Sequence, residues 1–159
     1  MPSTYAPIAT YTLPSAQASY TFTNIPQTYT DLVLVMWVRD TEMQQGYYRF
    51  NSDSGSNYSR TYMYGTGAAR GSGGISNQTG CNTAMGDSYA SITAHIMSYS
   101  NTSMYKQVIE RGQDNNSVNE TIYMWRNNSA ITSITVDSFN GGATLATGSS
   151  FSLYGIKCA

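Results

Sequence analysis

The chain contains one residue suited to acid or base catalysis near neutral pH, His95. An enzyme also needs a nucleophile, a base and a group that orients the base, or a bound metal. No such motif accompanies His95, which falls in a segment where apolar and polar residues alternate as in a strand. We therefore interpret His95 as a solvent-facing or hydrogen-bonded strand residue.

The nine acidic residues are scattered along the chain and form no close pair in the sequence. Glycoside hydrolysis needs two carboxyl groups that flank the scissile bond. Asp137 and Glu120 are the best placed, but both lie in expected strands of a chain with few charges to shift a pKa. The sequence thus predicts no enzyme activity, no catalytic residue and no cofactor.

The segment FNSDSGSN offers several oxygen atoms within a short span, on Asn51, Asp53 and Asn57. Calcium binds hard oxygen ligands of this kind. The segment lacks the acidic residue at the twelfth position of an EF-hand loop, and a polar hairpin tip accounts for the same residues. We predict a polar turn without a metal. The alternative is a calcium site with these three residues as ligands.

Tyrosine is abundant, with 14 residues in the chain and five of them between positions 47 and 64. Its side chain supplies rigid contact area and one polar group, and it is common in sugar-binding platforms and protein interfaces. Neighbouring residues of a strand face opposite sides, so some of the five belong to the core. We predict a binding face formed by Tyr48, Tyr62 and Tyr64.

The composition indicates one folded domain with a neutral, polar surface. A chain of 159 residues fits a single core, and its 13% aromatic content supplies buried area although only 11% of residues are charged. A formal net charge of -1 argues against nucleic-acid binding. The longest apolar run, Leu32 to Val38, has the length of a strand, which predicts no membrane insertion.

Targeting and redox signals are weak. The N-terminus lacks the positive and apolar regions of a secretory signal, so we expect synthesis in the cytoplasm without a signal peptide. Cys81 and Cys158 fit neither a disulfide scaffold nor a zinc motif, and we expect two free thiols.

Short runs rich in Thr, Tyr, Ile and Val alternate with clusters of Gly, Asn and Ser. This pattern predicts an all-β fold, an antiparallel β-sandwich of jelly-roll type with about ten strands and no significant helix. Asp31 to Val38 is apolar at both parities and should be a central strand covered on both faces or placed at a subunit contact. Gly46 to Asn51 and Tyr58 to Gly65 should form a hairpin.

Two segments are expected to lie outside the sheets. Residues 65–80 are rich in glycine and poor in core residues, which predicts a long mobile loop. Residues 1–9 are a candidate extended arm. Since the chain has few charges to protect its sheet edges, we expect neighbouring subunits to cover them.

Three stretches carry a family resemblance: ASYTFTNIPQTYTDLVLV, RFNSDSGSNYS and SSFSLYGIK. They resemble a family of bacteriophage virion structural proteins, including those of phages of aquatic bacteria. The resemblance covers both ends and the first third of the chain. It implies a short β-sandwich module of the kind found as capsid decoration proteins and as distal domains of tail fibres, with no catalytic residues.

The leading functional hypothesis is a decoration, or cement, protein on the outer shell of the virion. The sequence shows no shaft, coiled coil or repeat that would connect it to a fibre. The expected partners are the major capsid protein or other virion subunits and further copies of the chain, with a trimer favoured.

The alternative hypothesis is the receptor-binding tip of a tail fibre or spike that recognises a host glycan. Such a tip would use exposed aromatic side chains, with Trp37 or Trp125 as candidates. Trp37 lies in the most apolar segment, so we expect it to be buried.

Overall fold

The computed structural model describes residues 4–42, 46–83, 85, 88–114, 116–138 and 143–157, and in them the chain forms twelve strands and no helix. The all-β prediction is confirmed, with twelve strands instead of about ten. The same ranges hold no helix of the length and hydropathy needed to cross a membrane. The strands are β1 (Tyr5–Thr12), β2 (Ser19–Phe22), β3 (Asp31–Val38), β4 (Gly46–Phe50), β5 (Tyr58–Gly65), β6 (Arg70–Gln78), β7 (Cys81–Thr83), β8 (Ala90–Met97), β9 (Lys106–Gln113), β10 (Val118–Trp125), β11 (Ile134–Ser138) and β12 (Ser150–Ile156).

The strands form two antiparallel sheets of unequal width. The wide sheet has eight strands in the order β1-β12-β3-β8-β9-β10-β5-β6, and the narrow sheet has four in the order β2-β11-β4-β7. The first half of the wide sheet, β1-β12-β3-β8, and the narrow sheet together have the strand arrangement of a jelly roll, as predicted. The other half, β9-β10-β5-β6, is an extension built from strands inserted between β4 and β7 and between β8 and β11.

The core lies between the two sheets and follows the alternation of side chains along each strand. In β3 the even-numbered residues from Leu32 to Val38 are buried against the narrow sheet. Aromatic rings join the sheets where the extension begins, with Phe50 of the narrow sheet 5.4 Å from Trp125 of the wide sheet, measured between ring centroids. A buried ring of this size contributes roughly 1.5–3 kcal/mol through removal of its apolar surface from water.

The glycine-rich segment 65–80 is mostly strand, so the prediction of a loop was wrong. β6 pairs with β5 from Arg70 opposite Gly65 to Gln78 opposite Tyr58, with one irregularity in the register. Glycine weakens an isolated strand because it has no side chain to pack. Here the rings of tyrosines on β5 cover the glycines of β6, a cross-strand contact that a local pattern does not reveal.

The N-terminal segment is also part of a sheet. β1 begins at Tyr5 and pairs with β12, with Tyr5 opposite Ile156 and Thr12 opposite Ser150. The described part of residues 1–9 is therefore not a free arm, and residues 1–3 lie outside the described residues.

The predicted hairpin between β4 and β5 is instead a crossover between the sheets. β4 pairs with β11 and β7 in the narrow sheet, whereas β5 pairs with β10 and β6 in the wide sheet. Asn51 and Ser52 both have positive φ angles, 52° and 58°, which turn the chain sharply out of β4. The turn of a crossover and the tip of a hairpin contain the same kinds of polar residue, so the sequence did not distinguish a crossover from a hairpin.

Asp53 fastens this crossover to the end of β10. Its Oδ2 atom accepts hydrogen bonds from Trp125 Nε1 at 2.7 Å and from Asn57 Nδ2 at 2.9 Å, and its Oδ1 atom accepts one from Gly55 N at 2.9 Å. Burial alone would raise the pKa of Asp53, but these hydrogen bonds outweigh it and hold the pKa below its usual value. The ionised carboxylate therefore stabilises the fold.

We expect Asp53→Asn to lower the free energy of unfolding at neutral pH by about 1–3 kcal/mol, because the donors lose a charged acceptor. A lowered folded-state pKa means that this stability is present above the unfolded-state pKa of Asp and is lost as the pH falls through the folded-state value. The difference between wild type and variant should accordingly shrink in acid. Urea unfolding at neutral pH and below about pH 4 measures both effects.

Glu120→Gln is the control, since the ion pair that Glu120 forms with Arg111 at 3.4 Å is exposed. It should change the free energy of unfolding little. An Asp53→Asn deficit that stays constant into acid would contradict a role for the charge.

Candidate functional site

The wide sheet has an outer surface that the narrow sheet does not cover, which we call the open face. Because side chains alternate, the residues between the buried positions of β3 point to this side, and the strand register continues the same rows across β8, β9, β10 and β5. Trp37, for example, shares a row with Val118 through Ser91 and Gln113. The large apolar side chains that the open face exposes are Val35, Trp37, Met63, Val118, Ile122 and Met124.

The open face combines these apolar groups with hydroxyl groups and few charges. At its centre Arg111 and Glu120 pair across strands β9 and β10, and Arg70 lies toward the β6 edge. The face is concave around these residues and forms a cleft of about 920 Å³, lined also by Met63 and Val118. Val118, Ile122 and Met124 lie along β10, with Met63 beside them on β5. Neighbouring exposed apolar side chains of this kind indicate a surface that contacts another macromolecule.

Trp37 is 48% exposed, so the expectation that it would be buried was wrong. The narrow sheet covers only one side of β3, and Trp37 points to the other side, where its ring stacks on Tyr89 with 5.5 Å between ring centroids. Within a single copy of the chain, β3 is therefore not covered on both faces, so the first of the two alternatives for this strand was wrong. The other alternative, a subunit contact, stays a prediction. Trp125 is buried in the core and offers no platform.

The predicted tyrosine face is formed by two of its three residues. Tyr62 and Tyr64 lie on the same side of β5, with 6.5 Å between ring centroids and an angle of 28° between the rings. Tyr48 is fully buried, so its place in the binding face was wrong. It lies in β4, in the interior of the narrow sheet, and points with Phe50 toward the core.

The two tyrosine rings lie flat on β6 because glycines stand opposite them. Tyr62 pairs with Gly73 and Tyr64 with Gly71. A Cβ atom at Gly71 would lie 2.8 Å from the ring of Tyr64, and one at Gly73 would lie 2.8 Å from the hydroxyl of Tyr62. The Arg60 guanidinium stands 5.0 Å from the ring centroid of Tyr62.

A polar pocket opens beside these rings, where the narrow sheet ends at β7. Its volume is about 290 Å³. Together with the rings we call it the tyrosine pocket, and its polar lining comes from Arg60, Asn82, Glu110, Asp114, Ser117, Asn119 and Thr121. Four of these side chains have a buried polar atom without a hydrogen-bond partner among the described residues: Arg60 Nε, Asn82 Oδ1, Glu110 Oε2 and Asn119 Oδ1.

Glu110 is a buried carboxyl group below the pocket, only 1% exposed. Its Oε1 atom accepts a hydrogen bond from Thr83 Oγ1 at 3.0 Å. The hydroxyl of Tyr48 lies near enough to act on the carboxyl, yet neither Tyr48 Oη nor Glu110 Oε2 has a partner at hydrogen-bond geometry within the described ranges.

Burial raises the pKa of Glu110 to about 7, although Tyr48, Thr83, the positive charge of Arg60 and Tyr123 each act to lower it. Sequence reasoning missed this residue. Glu110 shares its parity with Lys106 and Val108, while the opposite parity of the same strand also mixes apolar and charged residues, so neither side was marked as the inner one.

The three alternative calcium ligands do not converge. Asn57 directs its amide nitrogen at Asp53, and Asn51 faces the 130–133 segment, where Asn51 Oδ1 accepts hydrogen bonds from Thr132 N and Ser133 N. In the part of the chain that the structure describes, no group of three or more His, Cys, Asp or Glu side chains is arranged to hold a metal ion.

The other residues singled out by the sequence have structural roles. His95 Nε2 lies 3.0 Å from Asp31 Oδ2, as expected of a hydrogen-bonded strand residue. Asp137 forms an ion pair with Arg49 at 2.7 Å. Cys81 is a free, buried thiol whose pKa is raised by burial, and Cys158 lies outside the described residues.

We expect Glu110 to make the protein less stable as the pH rises. Between an ordinary pKa of 4.5 and the folded value of about 7, the folded protein keeps a proton that the unfolded chain releases. The free energy of unfolding should therefore decline across this window, by roughly 3 kcal/mol. Glu110→Gln cannot ionise, so urea unfolding of this variant should show a flatter profile.

This variant keeps the groups that surround Glu110 in the described chain, namely Tyr48, Cys81, Tyr123 and Arg60. Glu120→Gln again serves as the exposed control and should keep the decline of the wild type. Parallel pH profiles for wild type and Glu110→Gln would show that Glu110 is not the titrating group.

Comparison with known proteins assigns no family to the chain. No protein-family model matches it, and no curated protein matches it at a significant level. The resemblance to phage virion proteins accordingly remains a prediction.

Proposed function

We propose that this protein is a structural component of a phage virion, most simply a decoration protein on the outer shell. The observation that carries the proposal is the open face, a broad sheet surface that exposes six large apolar side chains and few charges. On this proposal the open face contacts neighbouring virion subunits, namely the major capsid protein or other virion proteins and further copies of the chain. A trimer is the favoured assembly, and no enzyme activity is involved.

The physical support is the cost of leaving this face in water. These side chains are 37–60% exposed, so completing their burial contributes roughly half of the 1.5–3 kcal/mol expected for a fully exposed large apolar side chain, and six such contributions favour association. The Arg111–Glu120 pair neutralises itself, so burying it leaves no isolated charge. Jelly-roll folds occur in viral capsid proteins, and this likeness is an analogy of fold only.

A second candidate function is the receptor-binding tip of a tail fibre or spike. The tyrosine pocket favours it, because exposed rings beside a polar pocket can hold part of a host surface glycan. The open face would then join the tip to the rest of the fibre. The number of copies of the protein per virion distinguishes a decoration protein from a fibre tip.

We expect Ile122→Glu to weaken binding of the protein to shells that lack it, by tenfold or more, because an unpaired charge on the open face resists burial. Ile75→Glu is the matched control. Ile75 is 40% exposed against 44% for Ile122, but it pairs with Arg60 on the opposite side of the wide sheet. Sedimentation of particles with added protein measures binding, and sedimentation velocity of the protein alone measures self-association.

Gel densitometry of purified particles tests the position in the virion. A decoration protein should approach the copy number of the major capsid protein, and a few copies per particle would overturn the decoration role in favour of the tip. Equal effects of Ile122→Glu and Ile75→Glu would contradict the open face as the contact surface.

A further inference from the structure

We propose that the tyrosine pocket is a binding site for a neutral saccharide unit, which stacks on Tyr62 and Tyr64 and places its hydroxyl groups in the adjoining polar pocket. The proposal deepens the receptor-binding candidate by naming the class of ligand, and it does not depend on assembly through the open face. The side chains of Tyr62 and Tyr64 point to the side of β5 opposite Met63 and the open face, and Tyr64 and Asn119 also border the cleft of that face.

The stacking surface is built by the pairing of glycine with tyrosine. Gly71 and Gly73 allow the rings of Tyr64 and Tyr62 to lie flat on the sheet, where any larger residue would push against them. Tyr64 remains 42% exposed in this position. The exposed ring of Tyr64 matches the C–H face of a pyranose, which is apolar although the rest of the sugar is polar, and the half-buried ring of Tyr62 extends this surface.

The polar pocket supplies both kinds of hydrogen-bonding group. Arg60 offers guanidinium donors, Asn82 and Asn119 offer amide groups, and Asp114 offers carboxylate oxygen. A sugar hydroxyl both donates and accepts a hydrogen bond, so it can be held between an acceptor and a donor of this set. Glu110 lies beneath them, with one buried oxygen unpartnered among the described residues.

The charges in the pocket select a neutral ligand. Arg60 is its basic residue and shares the lining with the carboxyl groups of Asp114 and Glu110, of which Glu110 is partly protonated near neutral pH because burial raises its pKa. An acidic sugar would bring a further carboxylate into the same small volume as Asp114, and like charges at short range repel each other. The volume of about 290 Å³ lies at the lower end of small-molecule sites, which fits one terminal sugar unit.

Stability gives no reason for this arrangement. Each buried polar atom without a partner costs about 1–3 kcal/mol, and a strand rich in glycine is weaker than one with larger side chains. Apolar residues at Asn82 and Asn119 would remove two of these costs. The site lowers the stability of the fold and places aromatic rings beside hydrogen-bonding groups. Ligand binding explains this arrangement better than stability does.

Saturation-transfer difference NMR with four neutral probes tests the proposal: methyl β-D-glucoside, methyl β-D-galactoside, methyl α-D-mannoside and N-acetyl-D-glucosamine. At least one should bind, with the strongest transfer to protons on one face of the ring. Tyr64→Ala should reduce its affinity tenfold or more, whereas Tyr64→Phe should keep the stacking and most of the affinity. Tyr105→Ala, at a tyrosine that is 50% exposed and outside the pocket, should bind as the wild type does.

Gly71→Ala provides an independent test because it removes no group that could touch the ligand. Its new methyl group would displace the ring of Tyr64 and should weaken binding, while circular dichroism and the thermal midpoint report whether the fold persists. The proposal is overturned if none of the four probes binds, or if binding survives Tyr64→Ala unchanged. Tighter binding of glucuronic acid than of methyl β-D-glucoside would overturn the choice of a neutral ligand.

Discussion

The two sheets of this protein differ in width, and the narrower one cannot cover the surface that the wider one presents. Eight strands pack against four, so the narrow sheet leaves the outer side of the wide sheet uncovered and covers its inner side only in part. In a sheet with a single buried face, strands normally show polar residues on the other side. Here that side carries Val35, Trp37 and Ile122, which is why the open face needs an explanation.

The jelly-roll half of the fold could be predicted because its strands show their burial in the sequence. The even-numbered residues of β8 are apolar and buried, as the alternation from Ile92 to Met97 indicates. The boundaries of β3 and β5 were also correct as predicted. The extension was only partly visible. β6 depends on tyrosines of another strand for its packing, and a strand stabilised by its neighbour has no signal of its own.

The tyrosine pocket was half predicted for a related reason. Residue type marked Tyr62 and Tyr64 as contact residues, but parity alone could not tell that Tyr48 belongs to a different sheet. The assumed hairpin between β4 and β5 placed all three tyrosines on one surface, and the crossover at Asp53 separates them. Glu110 could not be found at all, since its burial depends on residues of β4, β5, β7 and β10 that meet only in the folded protein.

Strands of the extension contribute residues to both proposed surfaces, with neighbouring residues pointing to opposite sides of the sheet. Along β5, Met63 points to the open face while Tyr62 and Tyr64 point to the pocket, and along β10 Ile122 and Thr121 divide in the same way. A subunit docked on the open face therefore leaves the tyrosine pocket on the side turned away from it.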